Sequence, residues 1–492
     1  MNATQLFEGV VEEIAIPNRE ILSVTENTAR ANFDSVFVCI KGARADGHTL
    51  AMRAYENGCR LFVAEHPLSL PTDALVLTVE NTRKTLARLA CNLYAHPSRK
   101  MHLIGITGTK GKTTTAQLLS HILNQNGISC GYIGTNGVKY GSVKKELANT
   151  TPDALTLQKT LSEMLCNGIK TAVIEVSSQA LMQYRVEGTH FTTALFTNLY
   201  TDHIGPFEHT DFAEYLACKH RLFTDFNLEN VIVNSDDAHT KQMLEGCQAS
   251  NRITCSILGS ADCSATKIVQ TQTDGCLGVS FLLNDAGTAT PIELPLLGAC
   301  NASNALLAAA VATRIFKISA TDTARALRSV AIAGRCECIP LPSGGVAVID
   351  YAHNGESMRQ ILSSLRPYVK GRLICLFGSV GERSQLRRKE LGRAARDLAD
   401  LTVLTSDNPG REDPERIIDE IAAEWQGHEQ SFLRNADRKE AILQALKETH
   451  NGDVLLLAGK GHEQYQLIGT EKLPFSEREI VTSFCKSAAM IG

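Results

Sequence analysis

The stretch Gly105-Ile106-Thr107-Gly108-Thr109-Lys110-Gly111-Lys112-Thr113-Thr114-Thr115 decides the fold of this chain. An apolar run over Leu103–Ile106 leads into it, and a helix is predicted to follow over Thr114–Asn126. A strand, a glycine-rich loop and a helix N-terminus form an anion-binding arrangement, because backbone N–H groups and the helix dipole point at the ligand. We therefore predict an α/β nucleotide-binding domain in which Lys112 contacts phosphate and the Thr113 hydroxyl binds Mg²⁺.

The spacing of this loop differs from the strict G-x-x-x-x-G-K-[ST] pattern, because Ile106 stands where the first glycine belongs. The difference argues against an ordinary P-loop GTPase, as does the lack of a guanine-reading Asn-Lys-x-Asp motif. The alternative is a Gly/Thr-rich turn without a ligand, which the strand–loop–helix context disfavours. We predict a nucleotide-using enzyme.

Composition excludes several other classes of protein. The 492 residues suggest about three domains, and 43% hydrophobic and 21% charged residues are typical of a globular chain. A net charge of −4 gives no reason to expect nucleic acid as a partner. No run approaches the length of a membrane span, and the first residues lack a signal-peptide pattern. We expect a cytoplasmic protein without membrane insertion.

Cysteine and histidine usage points the same way. None of the 15 cysteines forms a C-x-x-C pair, and the 14 histidines show no H-E-x-x-H spacing, so we expect neither disulfides nor a zinc site. Most cysteines lie in or beside apolar runs, where a reduced thiol packs as a small hydrophobic group.

Short apolar runs alternate with helical segments along most of the chain, which predicts parallel sheets covered by helices. The N-terminal part offers strands at Ser35–Ile40 and Leu61–Ala64, a helix at Arg83–Tyr94 and a linker at Ala95–Ser98. Further predicted elements are strands at Thr171–Val176, Ala194–Asn198, Val231–Asn234, Val346–Ala352, Leu373–Phe377, Leu401–Thr405 and Val454–Ala458, and a helix at Asn301–Ile315. We predict three α/β domains, over residues 1–98, 99–333 and 334–492.

Polar motifs follow several of these predicted strands, where open α/β sheets place their ligands. They are Asn149–Asp153, Glu175–Gln179, Asn198–His203, Tyr215–Phe223, Asn301 with Asn304, Arg335, Asp350–His353, Asp407–Pro409 and Gly459–Glu463. In this order, and with Thr107–Thr114 matching Thr-Gly-Thr-(Asn/Lys)-Gly-Lys-Thr-Thr without a break, the chain resembles the Mur ligase family over nearly its full length.

The resemblance implies a first domain for a UDP-sugar, a central ATPase domain and a Rossmann-like C-terminal domain for an amino acid. It also implies the reaction, a step of peptidoglycan precursor synthesis. ATP phosphorylates the D-glutamate carboxylate of UDP-MurNAc-L-Ala-D-Glu, and an amine attacks the acyl phosphate to give an amide. The implied partners are these small molecules, and we expect a monomer.

The resemblance assigns the nucleotide and metal residues. ATP would be held by Gly108, Thr109, Lys110, Gly111, Lys112, Thr113 and Thr114, and at its adenosine end by Asn304, Arg335, Asp350 and His353. Thr113, Glu175 and His203 would ligate Mg²⁺, together with a CO₂-derived carbamate on Lys219. Catalysis would fall to Lys112, Glu175, His203 and Lys219. Without the resemblance, Lys219 would be an ordinary solvated helix lysine.

The same resemblance assigns the other two substrates. The UDP-muramoyl dipeptide would contact Asn149, Thr150, Thr151, Ser177, Gln183 and Arg185, whose guanidinium suits a carboxylate or phosphate. In the first domain Asn27-Thr28-Ala29 stands where the family has Asp-Ser-Arg, which leaves Asn27 as the candidate. The amino acid would contact Arg383, Asp407, Asn408, Gly459 and Glu463.

The identity of the amino acid depends on one departure from the family pattern. Members that add diaminopimelate carry Asp-Asn-Pro-Arg, whereas this chain reads Asp407-Asn408-Pro409-Gly410 with Arg411 displaced by one. Losing a bidentate partner for a second carboxylate would disfavour that substrate. Ser177-Ser178-Gln179 resembles the lysine-adding branch too, so we expect L-lysine. Diaminopimelate is the alternative if Arg411 reaches the vacant place.

Two other functions compete with this interpretation. A folylpolyglutamate synthetase shares the loop and the acyl-phosphate chemistry, but the segments Asn149–Asp153, Ser177–Arg185 and Gly459–Glu463 favour a muramoyl substrate. A non-catalytic ligase-like partner would be expected to lack Lys112, Glu175 or Lys219, and all three are present.

Overall fold

The computed structural model describes residues 1–10, 19–42, 45–202, 204–205, 208–273, 276–332, 334, 336–382, 385–427 and 432–489. Three of the expected site residues, His203, Arg335 and Arg383, lie outside the described residues. The chain divides into two compact units, residues 1–263 with 306–319 and residues 264–305 with 320–492. The division into three domains at residues 98 and 333 stays a prediction.

The first unit begins with a small parallel sheet. Its elements are α1 (Ala3–Leu6), β1 (Ser23–Thr25), β2 (Ser35–Val38), α2 (Ala51–Glu56), β3 (Leu61–Ala64), β4 (Leu75–Thr78) and α3 (Thr82–Leu93). The four strands pair in chain order, and each pairing is parallel. The strands β2 and β3 are buried along their whole length, as expected of short Val/Phe-rich segments covered on both faces.

A larger sheet carries the glycine-rich loop of the first unit. Its elements are β5 (His102–Thr107), α4 (Lys112–Gln125), β6 (Cys130–Gly134), β7 (Gly137–Tyr140), β8 (Val143–Lys145), α5 (Ala154–Cys166), β9 (Thr171–Glu175), α6 (Ser178–Met182), β10 (Thr193–Phe196), α7 (Phe212–Thr224), β11 (Asn230–Asn234), α8 (Thr240–Met243) and β12 (Asn251–Ser256). The order within this unit is β12-β11-β10-β5-β9-β6-β7-β8. Because β10, β5 and β9 run parallel, their carboxyl ends meet at one edge, which positions the site.

The second unit is built on a mostly parallel six-stranded sheet. Its elements are β13 (Cys263–Thr273), β14 (Cys276–Asp285), β15 (Thr288–Leu294), α9 (Ala299–Ala310), α10 (Ala320–Arg328), β16 (Glu337–Pro340), β17 (Val346–Asp350), α11 (Gly355–Leu365), β18 (Leu373–Phe377), α12 (Gln385–Leu398), β19 (Leu401–Leu404), α13 (Pro414–Ala422), β20 (Phe432–Arg434), α14 (Arg438–Glu448), β21 (Val454–Ala458), β22 (Tyr465–Ile468), β23 (Glu471–Pro474) and α15 (Glu477–Ala489). The order is β16-β17-β21-β18-β19-β20, with β16 antiparallel at the edge. Helices cover both faces, over two separate apolar clusters.

The predicted α/β class with parallel sheets is confirmed, and the predicted strands named above appear within two residues of their expected bounds. The helix predicted after the glycine-rich loop, α4, begins at Lys112 rather than Thr114, because Gly111 takes φ +84° and provides the turn before it. The helix predicted at 301–315 is an α-helix as far as Ala310 and continues as a π-helix over Val311–Ile315. Strands β13–β15, of which β14 and β15 pair antiparallel, were not predicted, although the buried Leu277, Val279, Phe281 and Leu283 alternate along β14.

The predicted linker at 95–98 is an ordered turn instead. Ala95 and His96 have positive φ angles, and a 3₁₀ helix over Pro97–Lys100 buries Pro97 and Ser98. The proline favours this start because its fixed φ suits the first helical position. In the part of the chain that the structure describes, no helix is both long and apolar enough to cross a membrane.

Candidate active site

The glycine-rich loop between β5 and α4 depends on glycine at two positions. Gly108 has φ +149°, and a Cβ there would stand 1.9 Å from Thr197 Oγ1 and 3.0 Å from the Asn198 carbonyl oxygen. Gly111 has φ +84° and forms the N-cap of α4. A side chain at Gly108 would push the loop away from the end of β10, so the close approach requires glycine.

Asn198, two residues after β10, holds the loop in this shape. Its carbonyl oxygen accepts a hydrogen bond from the Thr109 amide at 2.9 Å, and its Oδ1 accepts one from the Lys110 amide at 2.9 Å. Its Nδ2 donates to the Lys110 carbonyl at 3.1 Å. The Lys110 side chain pairs with Asp202 at 3.0 Å. The loop is therefore fixed by backbone contacts before any ligand arrives, which is the preorganisation that an anion site needs.

Two lysines converge on the loop. Lys112 Nζ donates to the carbonyl oxygens of Gly108 at 2.7 Å and Thr109 at 3.0 Å, and Lys219 Nζ from α7 donates to Gly108 at 3.0 Å. Lys219 is 1% exposed. Burial, and then the nearby charge of Lys112, hold the pKa of Lys219 well below its ordinary value. Lys112 thus supplies positive charge at the place where phosphate oxygens are expected, whereas the charged form of Lys219 is disfavoured there.

Glu175, the last residue of β9, lies beside this loop and is fully buried. Its Oε2 accepts a hydrogen bond from Thr113 Oγ1 at 2.8 Å. Its Oε1 accepts bonds from the Tyr132 hydroxyl at 2.6 Å and the Thr135 amide at 3.0 Å. Gly134 makes room for it, since a Cβ there would stand 2.1 Å from Oε1. These bonds stabilise a buried carboxylate beside the helix N-terminus.

Thr113 and Glu175 fit a magnesium ion. Mg²⁺ prefers hard oxygen ligands, and here a hydroxyl and a carboxylate oxygen are 2.8 Å apart at the start of α4, where β- and γ-phosphates are expected. Thr114 follows Thr113 in the first turn of the helix and is buried. The third expected ligand, His203, belongs to the residues that the structure does not describe.

The residues expected to bind the UDP-muramoyl dipeptide gather beside Glu175. Thr151 Oγ1 donates to the Glu175 carbonyl at 2.7 Å and accepts from the Ser177 amide at 3.0 Å. Arg185 donates to the Thr151 carbonyl at 2.9 Å and to Gln183 Oε1 at 2.9 Å.

The other three candidates for this substrate are placed differently. The Thr150 hydroxyl is 3.1 Å from that of Thr135. Asn149 is exposed beside it on the same turn. Asn27 instead caps a 3₁₀ helix over Thr28–Arg30 by accepting from the Ala29 amide. The structure therefore unites the central-sheet candidates, and it gives Asn27 a local capping role.

In the second unit, the described residues expected at the adenosine end of ATP lie at the carboxyl end of β17 and on helix α9. Asp350 ends β17, and its carboxylate accepts from the Cys336 amide at 2.9 Å and the Ala352 amide at 2.8 Å. His353 Nδ1 lies 2.9 Å from the Tyr351 carbonyl oxygen. The buried Asn304 Nδ2 donates to Asn301 Oδ1 at 3.1 Å.

A second group of charged side chains lies at the carboxyl ends of β19 and β21, and we call Asp407, Asn408, Lys460 and Glu463 the Lys460 cluster. Lys460 Nζ donates to Asn408 Oδ1 and Glu463 Oε2, both at 2.9 Å, and lies 3.6 Å from Asp407 Oδ1. Gly459 has φ +110°, and a Cβ there would stand 2.7 Å from Asp407 Oδ2. The structure thus brings together four of the five expected amino-acid contacts, and Arg383 is outside the described residues.

Several residues that contact the candidate site residues were not predicted from the sequence. Tyr132 and Thr135 bind Glu175 from 40 or more positions away in sequence, and nothing local predicts that pairing. Asn198 and Lys460 were inside quoted motifs without a role. A lysine between two glycines directly after a buried strand was the available signal for Lys460.

Comparison with known proteins decides the family. A model of the Mur ligase middle domain matches residues 106–312, and one of the Mur ligase glutamate ligase domain matches residues 334–461. A protein of Bacillus cereus, named UDP-N-acetylmuramoyl-L-alanyl-D-glutamate–2,6-diaminopimelate ligase, is 36% identical over 94% of both chains. A ligase of the same name from Aquifex aeolicus is 36% identical over 96% of this chain and 95% of its own. The chain belongs to the Mur ligase family.

Solved structures agree with this assignment. A ligase of the same printed name superposes with a TM-score of 0.72 at 26% identity, covering 99% of both chains. A folylpolyglutamate synthase of Mycobacterium tuberculosis superposes with a TM-score of 0.60 at 16% identity over 77% of this chain, which shows only a shared fold. This Mur ligase is an ATP-dependent acid–amino-acid ligase. The relatives' names favour diaminopimelate and lend no support to the L-lysine expected from Gly410.

Proposed function

We propose that this Mur ligase joins 2,6-diaminopimelate to the D-glutamate carboxylate of UDP-MurNAc-L-Ala-D-Glu, with consumption of ATP, in peptidoglycan precursor synthesis. One observation carries the proposal: relatives about 36% identical over at least 94% of the chain bear the name of that reaction. The alternative substrate is L-lysine, which Gly410 in place of the family's arginine favours.

In the first chemical step two negatively charged groups, the γ-phosphate of ATP and the D-glutamate carboxylate, must approach each other. A carboxylate oxygen attacks the γ-phosphorus, the bond to ADP breaks, and an acyl phosphate forms. We assign Gly108–Thr114 and Lys112 to holding the triphosphate, because their amides and amine supply the positive charge that this approach requires. Magnesium, held by Thr113, Glu175 and His203, would reduce the repulsion between the two anions.

The second step forms the amide. The amine nitrogen attacks the acyl carbon, phosphate leaves with the former carboxylate oxygen, and the nitrogen loses a proton. We assign Arg383, Asp407, Asn408, Gly459 and Glu463 to holding the amino acid, and Asn304, Arg335, Asp350 and His353 to the adenosine end of ATP. Asn27, Asn149, Thr150, Thr151, Ser177, Gln183 and Arg185 are assigned to the UDP-muramoyl dipeptide.

Lys219 is assigned a carbamate. Its nitrogen adds to CO₂ and loses a proton, which replaces a buried amine with an anion able to approach Mg²⁺. The supporting features are its near-complete burial in α7 and its position 3.0 Å from the Gly108 carbonyl, opposite the cation of Lys112. A lysine that must be uncharged to react is favoured by surroundings that disfavour its ammonium form.

The diamino acid can be identified with purified protein. Phosphate release and the mass of the nucleotide product are measured with UDP-MurNAc-L-Ala-D-Glu, ATP, Mg²⁺ and each of meso-diaminopimelate, L-lysine, L-ornithine and glycine. We expect turnover with diaminopimelate and a product heavier by one diaminopimelyl residue. Turnover with L-lysine alone would contradict the proposed substrate, and turnover without any amino acid would contradict the ligase.

Substitution of Arg411 can test which residue contacts the distal carboxylate of diaminopimelate. Gly410 has φ +60°, and Arg411 after it is exposed. If Arg411 supplies that contact, Arg411→Met raises the KM for diaminopimelate and leaves that for ATP unchanged. The exposed Arg416 on α13 gives a matched control in Arg416→Met.

A further inference from the structure

Lys460 is a fully buried lysine to which nothing above assigns a function. It follows β21 by two residues and is 0% exposed. Its ammonium donates to Asn408 Oδ1 and Glu463 Oε2 at 2.9 Å each and lies 3.6 Å from Asp407 Oδ1. Every one of these polar neighbours is among the residues assigned to the amino acid, so Lys460 contacts three residues of the proposed amino-acid site.

The charges of the cluster do not cancel. Two carboxylates, of Asp407 and Glu463, share one ammonium, which leaves one net negative charge. Within the described residues Asp407 Oδ1 is buried and receives no hydrogen bond, and Lys460 Nζ lies 3.6 Å from it. The neighbouring Arg438 is paired with Glu477, so that pair leaves the surplus unchanged. A site with one surplus negative charge attracts an ammonium group, which every amino-acid substrate carries.

The hydrogen bonds also fix the orientation of Glu463. Its Oε2 accepts from both Lys460 Nζ and Asn408 Nδ2 at 2.9 Å, whereas its Oε1 has a long contact of 3.4 Å with the Tyr351 hydroxyl. Two charge-assisted or amide donors on one oxygen hold the carboxylate in one rotamer. The less engaged oxygen, Oε1, is then the one left for a substrate.

We propose that Lys460 is a positioning residue for the amino-acid substrate. It holds Asn408 and Glu463 in place and offsets the buried carboxylate of Asp407, so that Oε1 of the half-buried Glu463 and the residual negative charge receive the ammonium of a diamino acid. This inference rests on the proposed function. Burying the charges of Lys460 and Asp407 is unfavourable unless they pair, and an apolar side chain of similar volume at position 460 would avoid that desolvation if shape alone mattered.

The test compares the same lysine-to-methionine substitution at two positions, one just before the β22–β23 hairpin and one on it. Lys460→Met removes the buried ammonium, and Lys472→Met is the control, because Lys472 is exposed on β23 and contacts the Tyr465 ring. KM is measured separately for the amino acid, ATP and UDP-muramoyl dipeptide. We expect Lys460→Met to raise the amino-acid KM about 30-fold or more, with the other two constants within about twofold. Equal changes in all three constants, or none, would overturn the proposal.

A double-mutant cycle separates positioning from general stability. If Lys460 acts through Glu463, then adding Lys460→Met to Glu463→Gln changes the amino-acid KM far less than it does alone. Additive effects would contradict that coupling. Should Lys460→Met not fold, Lys460→Arg carries the test. It keeps the charge with different geometry, and a rise confined to the amino-acid KM supports positioning, whereas a uniform loss or no change overturns it.

The outcomes also separate the two proposals. If the unsubstituted protein shows no turnover with any amino acid of the panel, the proposed function is wrong, whatever the Lys460 variants do. If it is active and Lys460→Met retains the original amino-acid KM, the inference about Lys460 fails and the proposed function stands.

Discussion

Two buried lysines of this Mur ligase occupy opposite electrostatic surroundings. Lys219, in the first unit, donates to the Gly108 carbonyl near the cation of Lys112, and burial and that cation together keep its pKa well below the ordinary value. Lys460, in the second unit, is paired with Asp407 and Glu463. The first environment disfavours the charged form of the lysine, whereas the second pairs the lysine with two carboxylates.

In the proposed function these two surroundings serve different reactants. The cation of Lys112 lies beside the glycine-rich loop, where phosphate oxygens are expected. The surplus negative charge around Lys460 would attract the ammonium form of the amino acid proposed to bind there. Burial strengthens both effects because the effective dielectric constant is lower than in water.

The largest expected effect follows from removing the loop cation. Lys112→Met deletes the amine that contacts Gly108 and Thr109, and we expect ATP-dependent phosphate release to fall about 10³-fold, the upper range for one preorganised charge-stabilising donor. Lys159→Met, at an exposed position on α5, is the matched control and should retain activity. A loss below about tenfold in Lys112→Met would contradict the role given to this cation.

The role of Lys219 can be tested by chemical rescue. Lys219→Ala removes the nitrogen that would carry the carbamate, and we expect activity to fall about 10²-fold. Because the deletion leaves space beside Gly108, formate or acetate should restore part of the rate, whereas chloride at equal ionic strength should not. Full activity of Lys219→Ala without additives would exclude the carbamate.

A smaller effect is expected at the buried carboxylate. Glu175→Gln keeps the shape of the side chain but removes the charge beside Thr113, so we expect weaker Mg²⁺ binding and a half-saturating Mg²⁺ concentration roughly tenfold higher. Titration of activity against Mg²⁺ at saturating ATP measures this. An unchanged Mg²⁺ requirement with a lowered plateau would indicate that Glu175 supports the loop without approaching the metal.

The smallest expected effect concerns stability. Since the pKa of Lys219 is lowered in the folded state, its charged form is less favourable there than in the unfolded chain, and folding is opposed at any pH where the unfolded chain keeps this proton. The contribution of Lys219 to the free energy of unfolding is most favourable above the unfolded pKa of roughly 10.4, where the lysine is neutral in both states. This contribution becomes less favourable as the pH drops toward the folded pKa. In CO₂-free buffer, Lys219→Met should be more stable than the parent by about 1 kcal/mol or more at pH 7.

Urea unfolding of the two proteins from pH 7 to pH 10 measures this difference. We expect it to shrink as pH rises. A difference in the free energy of unfolding that stays constant with pH would show that Lys219 remains charged in the folded protein. The contrast drawn between the surroundings of Lys219 and Lys460 would then be wrong.

Sequence alone predicted the glycine-rich loop with its flanking strand and helix, because that signal lies within one continuous segment over residues 102–125 and depends on local backbone geometry at Gly108 and Gly111. It also placed Glu175 at a strand end, since the period and length of apolar runs fix where strands stop. The partners of Glu175 could not be predicted, because Tyr132 and Thr135 reach it only through the order of the strands in the sheet.

The residues proposed to bind the amino acid show a different limit of sequence-based prediction. The single change to Gly410 led to an expectation of L-lysine, and the relatives' names favour diaminopimelate instead. Loss of one side chain in a motif indicates that a contact has changed, but it does not reveal what replaces it. Lys460 was overlooked because a lysine in a Gly-Lys-Gly segment is commonly exposed, and its burial depends on how β21 and β22 pack.

The most direct test of the account follows oxygen atoms through the reaction. UDP-MurNAc-L-Ala-D-Glu labelled with ¹⁸O in the D-glutamate side-chain carboxylate is converted with ATP and diaminopimelate, and the released phosphate is examined by mass spectrometry. The account predicts one ¹⁸O atom in inorganic phosphate, transferred through the acyl phosphate formed at Lys112. Unlabelled phosphate, or label found in AMP, would contradict it.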